Sequence, residues 1–214
     1  MSSSAIQALE ALLQHHEGVS KEAFNNFESL FNNNHDFMVK VKSFDQLIDQ
    51  YHGLDDVAEY MFDLLMVHHL ENHQKEDDYF ESKEWMDIED KTIERGTELL
   101  NLFLYISESK ETDAPISLED FLHEFLLVDE DEFQDEHRIY EPLIEYQEVG
   151  EAELESIRLI EKQIPESSEI KELFVPIVLF FQNAENSSIA QSAYTQLLPI
   201  ERSLFACLLS YKQV

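Results

Sequence analysis

Four glycines and five prolines punctuate 214 residues, and this scarcity constrains the fold more than any other feature. An all-β or α/β chain spends glycine on hairpins and strand-to-helix turns. A helical chain needs it only as an occasional stop. Apolar residues make up 43% of the chain, including 15 Phe and 8 Tyr, which is ample for a core.

The apolar spacing agrees with helices. Ser4 to His16 places Ile6, Leu9 and Leu13 on one face, with Gly18 as a stop. Ser20 caps a second helix carrying Ala23, Phe24, Phe27 and Phe31. Ser43 with Gln46 reads as a capping box before Phe44, Leu47, Ile48 and Tyr51, and Gly53 ends that helix. One long helix is expected over residues 55–74 and another over 88–109, with Gly96 standing alone inside it. Ser117 with Asp120 opens a helix running to Val128. Further helices are expected over 133–149, 151–164, 169–183 and 188–211, with Pro142, Pro176 and Pro199 as kinks or first-turn residues.

The single strand-like piece is Phe37–Lys42, where Val39 and Val41 alternate with lysines. A lone alternating segment has no partner, so it is read as an extended connector. The predicted fold class is all-α: one multi-helix domain over residues 1–214, roughly eight to ten helices in antiparallel pairs. The nearest approach to a boundary lies at residues 108–115. A four-residue echo between Leu54-Asp-Asp-Val and Leu118-Glu-Asp-Phe is two helix starts of the same chemistry rather than a repeat.

Charge is the second constraint. The chain carries 46 Asp or Glu against 14 Lys or Arg, a net of −32. Residues 44–164 hold 36 of the acids and 8 of the bases, so the excess sits in the middle of the chain. Such a surface repels itself, keeps the chain in solution and steers basic partners. It disfavours nucleic acid, which needs clustered Lys and Arg. No apolar run approaches a membrane span, no signal peptide opens the chain, and a single cysteine, Cys207, excludes an internal disulfide. A cytoplasmic protein is the expectation.

Residues 111–137 contain 11 acids and no Lys or Arg. Asp129, Glu130, Asp131, Glu132, Asp135 and Glu136 form the densest part, read as a docking surface for a basic protein. An EF-hand loop is absent, since Gln134 and Tyr140 stand at its required Gly and Glu positions. Trp85, among acids and aromatics in Tyr79–Met86, is a candidate interface anchor.

His68, His69 and His73 are the candidate metal ligands. His69 and His73 sit at i, i+4 on the long helix, and imidazoles at that spacing ligate zinc once another element supplies a third group. The zinc-protease glutamate is missing, because Leu70 follows His69. Asp49/His52 and Asp120/His123 imitate dimetal spacing but point away from their helices' apolar faces. No serine elbow or phosphate-binding glycine loop exists, and Cys207 lies in an apolar run that reads as core. The leading expectation is a non-catalytic acidic module that binds a basic protein, as an inhibitor, immunity-type or adaptor protein, with no cofactor. A metal-dependent helical-bundle enzyme is the alternative. A scaffold or homo-oligomer is the third, using the stripe of Ile170, Leu173, Phe174, Ile177, Val178 and Phe181 as its contact.

Overall fold

The computed structural model describes residues 3–16, 19–73, 79–125, 139–147, 153–184 and 194–213. Among them are eleven α-helices and no strand, so the fold is all-α. In chain order these are α1 (Ser4–His15), α2 (Lys21–Asn32), α3 (Phe37–Gln50), α4 (Ala58–His73), α5 (Lys83–Thr92) and α6 (Glu98–Thr112). Next come α7 (Leu118–Phe125), α8 (residues 139–147), α9 (Leu154–Glu161), α10 (Phe174–Ala184) and α11 (Pro199–Gln213). Short 3-10 turns cover His52–Leu54, Tyr79–Glu81 and Ile93–Arg95.

Helix α4 organises the molecule. Every residue from Tyr60 to Leu70 is buried, Asp63, His68 and His69 included, and a helix buried all round lies at the centre of a fold. It packs against α1, α3 and α6, while α11 lies along α1 and also touches α6 and α10. The two ends of the chain therefore meet: Lys110 of α6 donates to Ser4 Oγ at 3.1 Å and to the Tyr211 carbonyl at 3.0 Å. Core aromatics such as Phe62, Phe103 and Phe205 are at most 2% exposed, each contributing about 1.5–3 kcal/mol by burial. The stripe from Ile170 to Phe181 packs into this same core, so those side chains are not a free contact face.

Two local expectations are corrected. Phe37–Lys42 is the start of α3 rather than a connector. Asp36 caps it, accepting from Met38 N at 2.9 Å, and Phe37, Val41 and Phe44 bury at i, i+4, i+7. Lys40 tucks in and donates to the Phe31 carbonyl at 2.9 Å. Ser43 is accordingly mid-helix, donating to the Val39 carbonyl, and is no cap.

The helix expected over 88–109 is in fact two, α5 and α6, separated by the 93–95 turn. Gly96 is extended (φ −72°, ψ 149°), and Thr97 caps α6 by accepting from Leu99 N at 3.1 Å. Thr97 also gives its N–H and its hydroxyl to Asp63 of α4, at 3.0 and 2.5 Å. Asp63 is fully buried; burial pushes its carboxyl well above the usual range, against the two Thr97 bonds that favour the anion. This tie fixes the break between α5 and α6 beside the first turns of α4.

Ser20 caps α2 through Ala23 N and Ser117 caps α7 through Asp120 N, where the sequence puts them. The helices expected over 169–183 and 188–211 begin later, at Phe174 and at Pro199.

Candidate functional site

The acidic docking candidates Asp129, Glu130, Asp131, Glu132, Asp135 and Glu136 lie outside the described residues. The other candidates have definite positions. His68 and His69 are 6% and 8% exposed, on a helix buried all round. His68 Nδ1 meets Ser3 Oγ at 2.9 Å, His69 Nε2 meets the Tyr79 hydroxyl, and His73 Nδ1 donates to the His69 carbonyl at 2.8 Å. The His73 ring stacks on Tyr79, centroids 4.3 Å apart. Burial first, then the neighbouring His73 and Lys40 charges, push His69 down to about 4, so it is neutral near pH 7. Among the described residues no three His, Cys, Asp or Glu side chains form a metal-binding group. The imidazoles instead tie α4 to the N-terminus and to the 79–81 turn.

A cleft of about 430 Å³ lies at the opposite end of α4. Its walls carry five glutamates from three separate stretches of chain: Glu59 of α4, Glu94 of the 93–95 turn, and Glu166, Glu169 and Glu172 before α10. All five are exposed. The last stretch folds as consecutive turns, Ser168 N to the Pro165 carbonyl and Lys171 N to the Ser168 carbonyl, both 3.0 Å. Ile164, Ile170 and Leu173 bury and pin it, which turns the three glutamates, three residues apart, toward solvent. The single cation of the lining, Lys171, donates to the carbonyls of Glu161 and Ile164 at 2.7 and 2.9 Å. It therefore serves the α9 terminus, reaching Glu166 only at 3.5 Å. The Tyr60 hydroxyl donates to Glu172 at 3.1 Å from the cleft floor, and burial plus the adjacent carboxylates push its pKa upward.

Beside the cleft runs an apolar groove of about 470 Å³ between α5 and α6, floored by Phe62, Met66 and Leu70 of α4. Trp85 is part of its wall and is half-buried, with Phe80 edge-on to it at 5.4 Å. Phe80, Ile93 and Leu104 are 52%, 71% and 39% exposed. That is unusual for large apolar side chains grouped on one surface. Ile93 and Gly96 line both the cleft and the groove, so the two form one continuous surface.

Trp85 is the one partner-binding candidate that the described structure brings to this surface. Sequence reasoning missed the cleft because three of its glutamates lie in the last 50 residues, where acids number only 5 against 3 bases. The recoverable signal was the Glu166, Glu169, Glu172 spacing around buried Ile170. No helix among the described residues is long and apolar enough to cross a membrane. Comparison with protein-family models, with curated proteins and with solved structures gives no match.

Proposed function

We propose that this chain is a non-catalytic recognition module for a basic protein partner. The observation that supports it is the continuity of a five-glutamate cleft with an exposed apolar groove across Ile93 and Gly96. An amphipathic helix on the partner would set apolar side chains against Trp85, Phe80 and Leu104, with adjacent Lys or Arg entering the cleft. Helix-in-groove recognition works in this way, through anchors at i, i+3, i+4 and i+7. The groove would supply affinity through a few desolvated anchors. The glutamates would supply on-rate and discrimination against acidic competitors. The acidic run at 129–136 adds to the field that steers such a partner. An inhibitor, an immunity-type protein and an adaptor all act through such a surface.

The test is affinity capture at about 50 mM and about 500 mM salt, across which the screening length falls to a few ångströms. It is run with wild type, a variant carrying Gln at positions 59, 94, 166, 169 and 172, and Ile93→Asp. Wild type is expected to retain a basic protein at low salt only. The Gln variant should lose about tenfold in association rate and most of the salt dependence. Ile93→Asp should lose about tenfold in affinity. Retention of the same proteins by all three chains would sink the reading.

A further inference from the structure

In a chain of net charge −32, one pocket is built around a buried lysine. It is a cavity of about 510 Å³ where the end of α2, the start of α3 and the end of α4 meet. Lys40 lines it and is 8% exposed. An ammonium has three N–H donors, and Lys40 uses one, toward the Phe31 carbonyl at 2.9 Å. Two acids line the pocket, Asp36 and Glu84, and neither forms an ion pair with Lys40. Asp36 Oδ1 is engaged as the α3 cap. Among the described residues Lys40 has no counter-ion; a buried charge left so is costly, and a native fold normally pairs it.

The rest of the lining suits a ligand that completes this pairing. Asn33 spends its carbonyl oxygen on His35 N at 3.1 Å, which leaves its amide as a donor on the pocket wall. Asn34 adds a second carboxamide. The apolar wall is Phe31 and Phe37, backed by the rings of His68 and His69 at 5.6 and 4.5 Å. Donors, one desolvated cation and aromatic walls fit a small molecule bearing an oxyanion.

We propose that this pocket binds a small oxyanion, a phosphate or a carboxylate, held against the Lys40 ammonium and the Asn33 and Asn34 amides. It shares no lining residue with the cleft or the groove and does not rest on the reading given for them.

The test is NMR of the full chain, following the imidazole resonances of His68, His69 and His73. Inorganic phosphate and acetate are titrated separately at constant ionic strength set with sodium chloride. A saturable shift confined to these histidines is expected with at least one probe, and the tighter probe names the ligand class. Lys40→Met should weaken it at least tenfold, with circular dichroism checking the fold, and Lys40→Arg should retain it. The proposal is overturned if neither probe gives a saturable shift in wild type up to about 10 mM. It is equally overturned if a folded Lys40→Met binds as tightly as wild type.

Discussion

Replacing Thr97 by Ala removes two hydrogen bonds and leaves a third. The hydroxyl accepts from Leu99 N at 3.1 Å as the α6 cap, and losing a Ser/Thr cap costs about 1 kcal/mol. The same hydroxyl donates to Asp63 Oδ2 at 2.5 Å, and depriving a fully buried carboxyl of a donor costs about 1–3 kcal/mol. The backbone bond from Thr97 N to Asp63 Oδ1 persists. The expected loss is about 2–4 kcal/mol, or about 5–15 °C in Tm for a chain of this size. Thr97→Ser keeps both hydroxyl bonds and should stay within about 1 kcal/mol of wild type.

The pH dependence has a fixed sign. The folded Asp63 carboxyl titrates above its unfolded value because burial dominates. Between the two values the folded state holds more protons, so this group's contribution to stability falls as pH rises through that window. Removing the Thr97 donor raises the folded value further, and the Thr97→Ala deficit should therefore grow as pH rises through the folded titration of Asp63. Urea denaturation followed by far-UV circular dichroism measures both quantities. A deficit under about 0.5 kcal/mol, a deficit that ignores pH, or equal damage from Ser and Ala would refute the account of this tie.

Three further outcomes follow from neighbouring features. Gly96 has ordinary negative φ, and an added Cβ would meet Leu100 Cδ2 at 3.5 Å and Asp63 Oδ1 at 3.8 Å, so Gly96→Ala should stabilise by about 0.4–1 kcal/mol, read by thermal melts. Arg158 forms a bidentate pair with Glu201, whose side chain is 4% exposed. Arg158→Ala should cost about 3 kcal/mol by leaving that carboxylate buried and unpaired. Adding Glu201→Gln should restore part of the loss in the same melts, since the amide oxygen still accepts from Leu198 N. Cys207 is fully buried and burial pushes its thiol pKa upward, so a thiol reagent should label it only at the rate of unfolding.

The all-α class was legible because caps and apolar spacing agreed over most of the chain, as at Ser20 with Phe27 and Phe31. The start of α3 was misread because Val39 and Val41 satisfy period two over six residues. The deciding residues, Phe37, Val41 and Phe44, follow the helical period across that boundary. Lys40 compounded the error: a lysine reads as solvent-facing, yet its Nζ closes onto the Phe31 carbonyl. The break at Gly96 was hidden because the group that stabilises it, Asp63, is 34 residues from its partner Thr97 in sequence. The candidate site was legible only in part. Trp85 stood out for its acidic surroundings, but counting acids along the chain cannot find a cleft assembled from Glu59, Glu94 and Glu166–Glu172. An apolar residue at a helical position also reads the same whether it is buried, as Ile88 is at 2%, or exposed, as Ile93 is at 71%.

The position of the two sites on α4 bears on whether they can act separately. Glu59 lies in its first turn and His68, His69 and His73 in its last turns. A helix rises about 1.5 Å per residue, which puts Glu59 and His68 about 13 Å apart along the axis. Its dipole favours anions at the first turn and cations at the last, the sense in which Glu59 and Lys40 are placed. That separation exceeds the Debye length of about 8 Å at physiological ionic strength. Charge changes in the exposed cleft should therefore leave the Lys40 pocket nearly untouched. The Glu→Gln cleft variant is expected to give the same phosphate or acetate dissociation constant as wild type within about twofold. Conversely, Lys40→Arg should leave capture of a basic protein unchanged. A several-fold change in anion affinity on neutralising the cleft would mean that the interior of α4 carries the field between them, and the two sites would then have to be treated as one electrostatic unit.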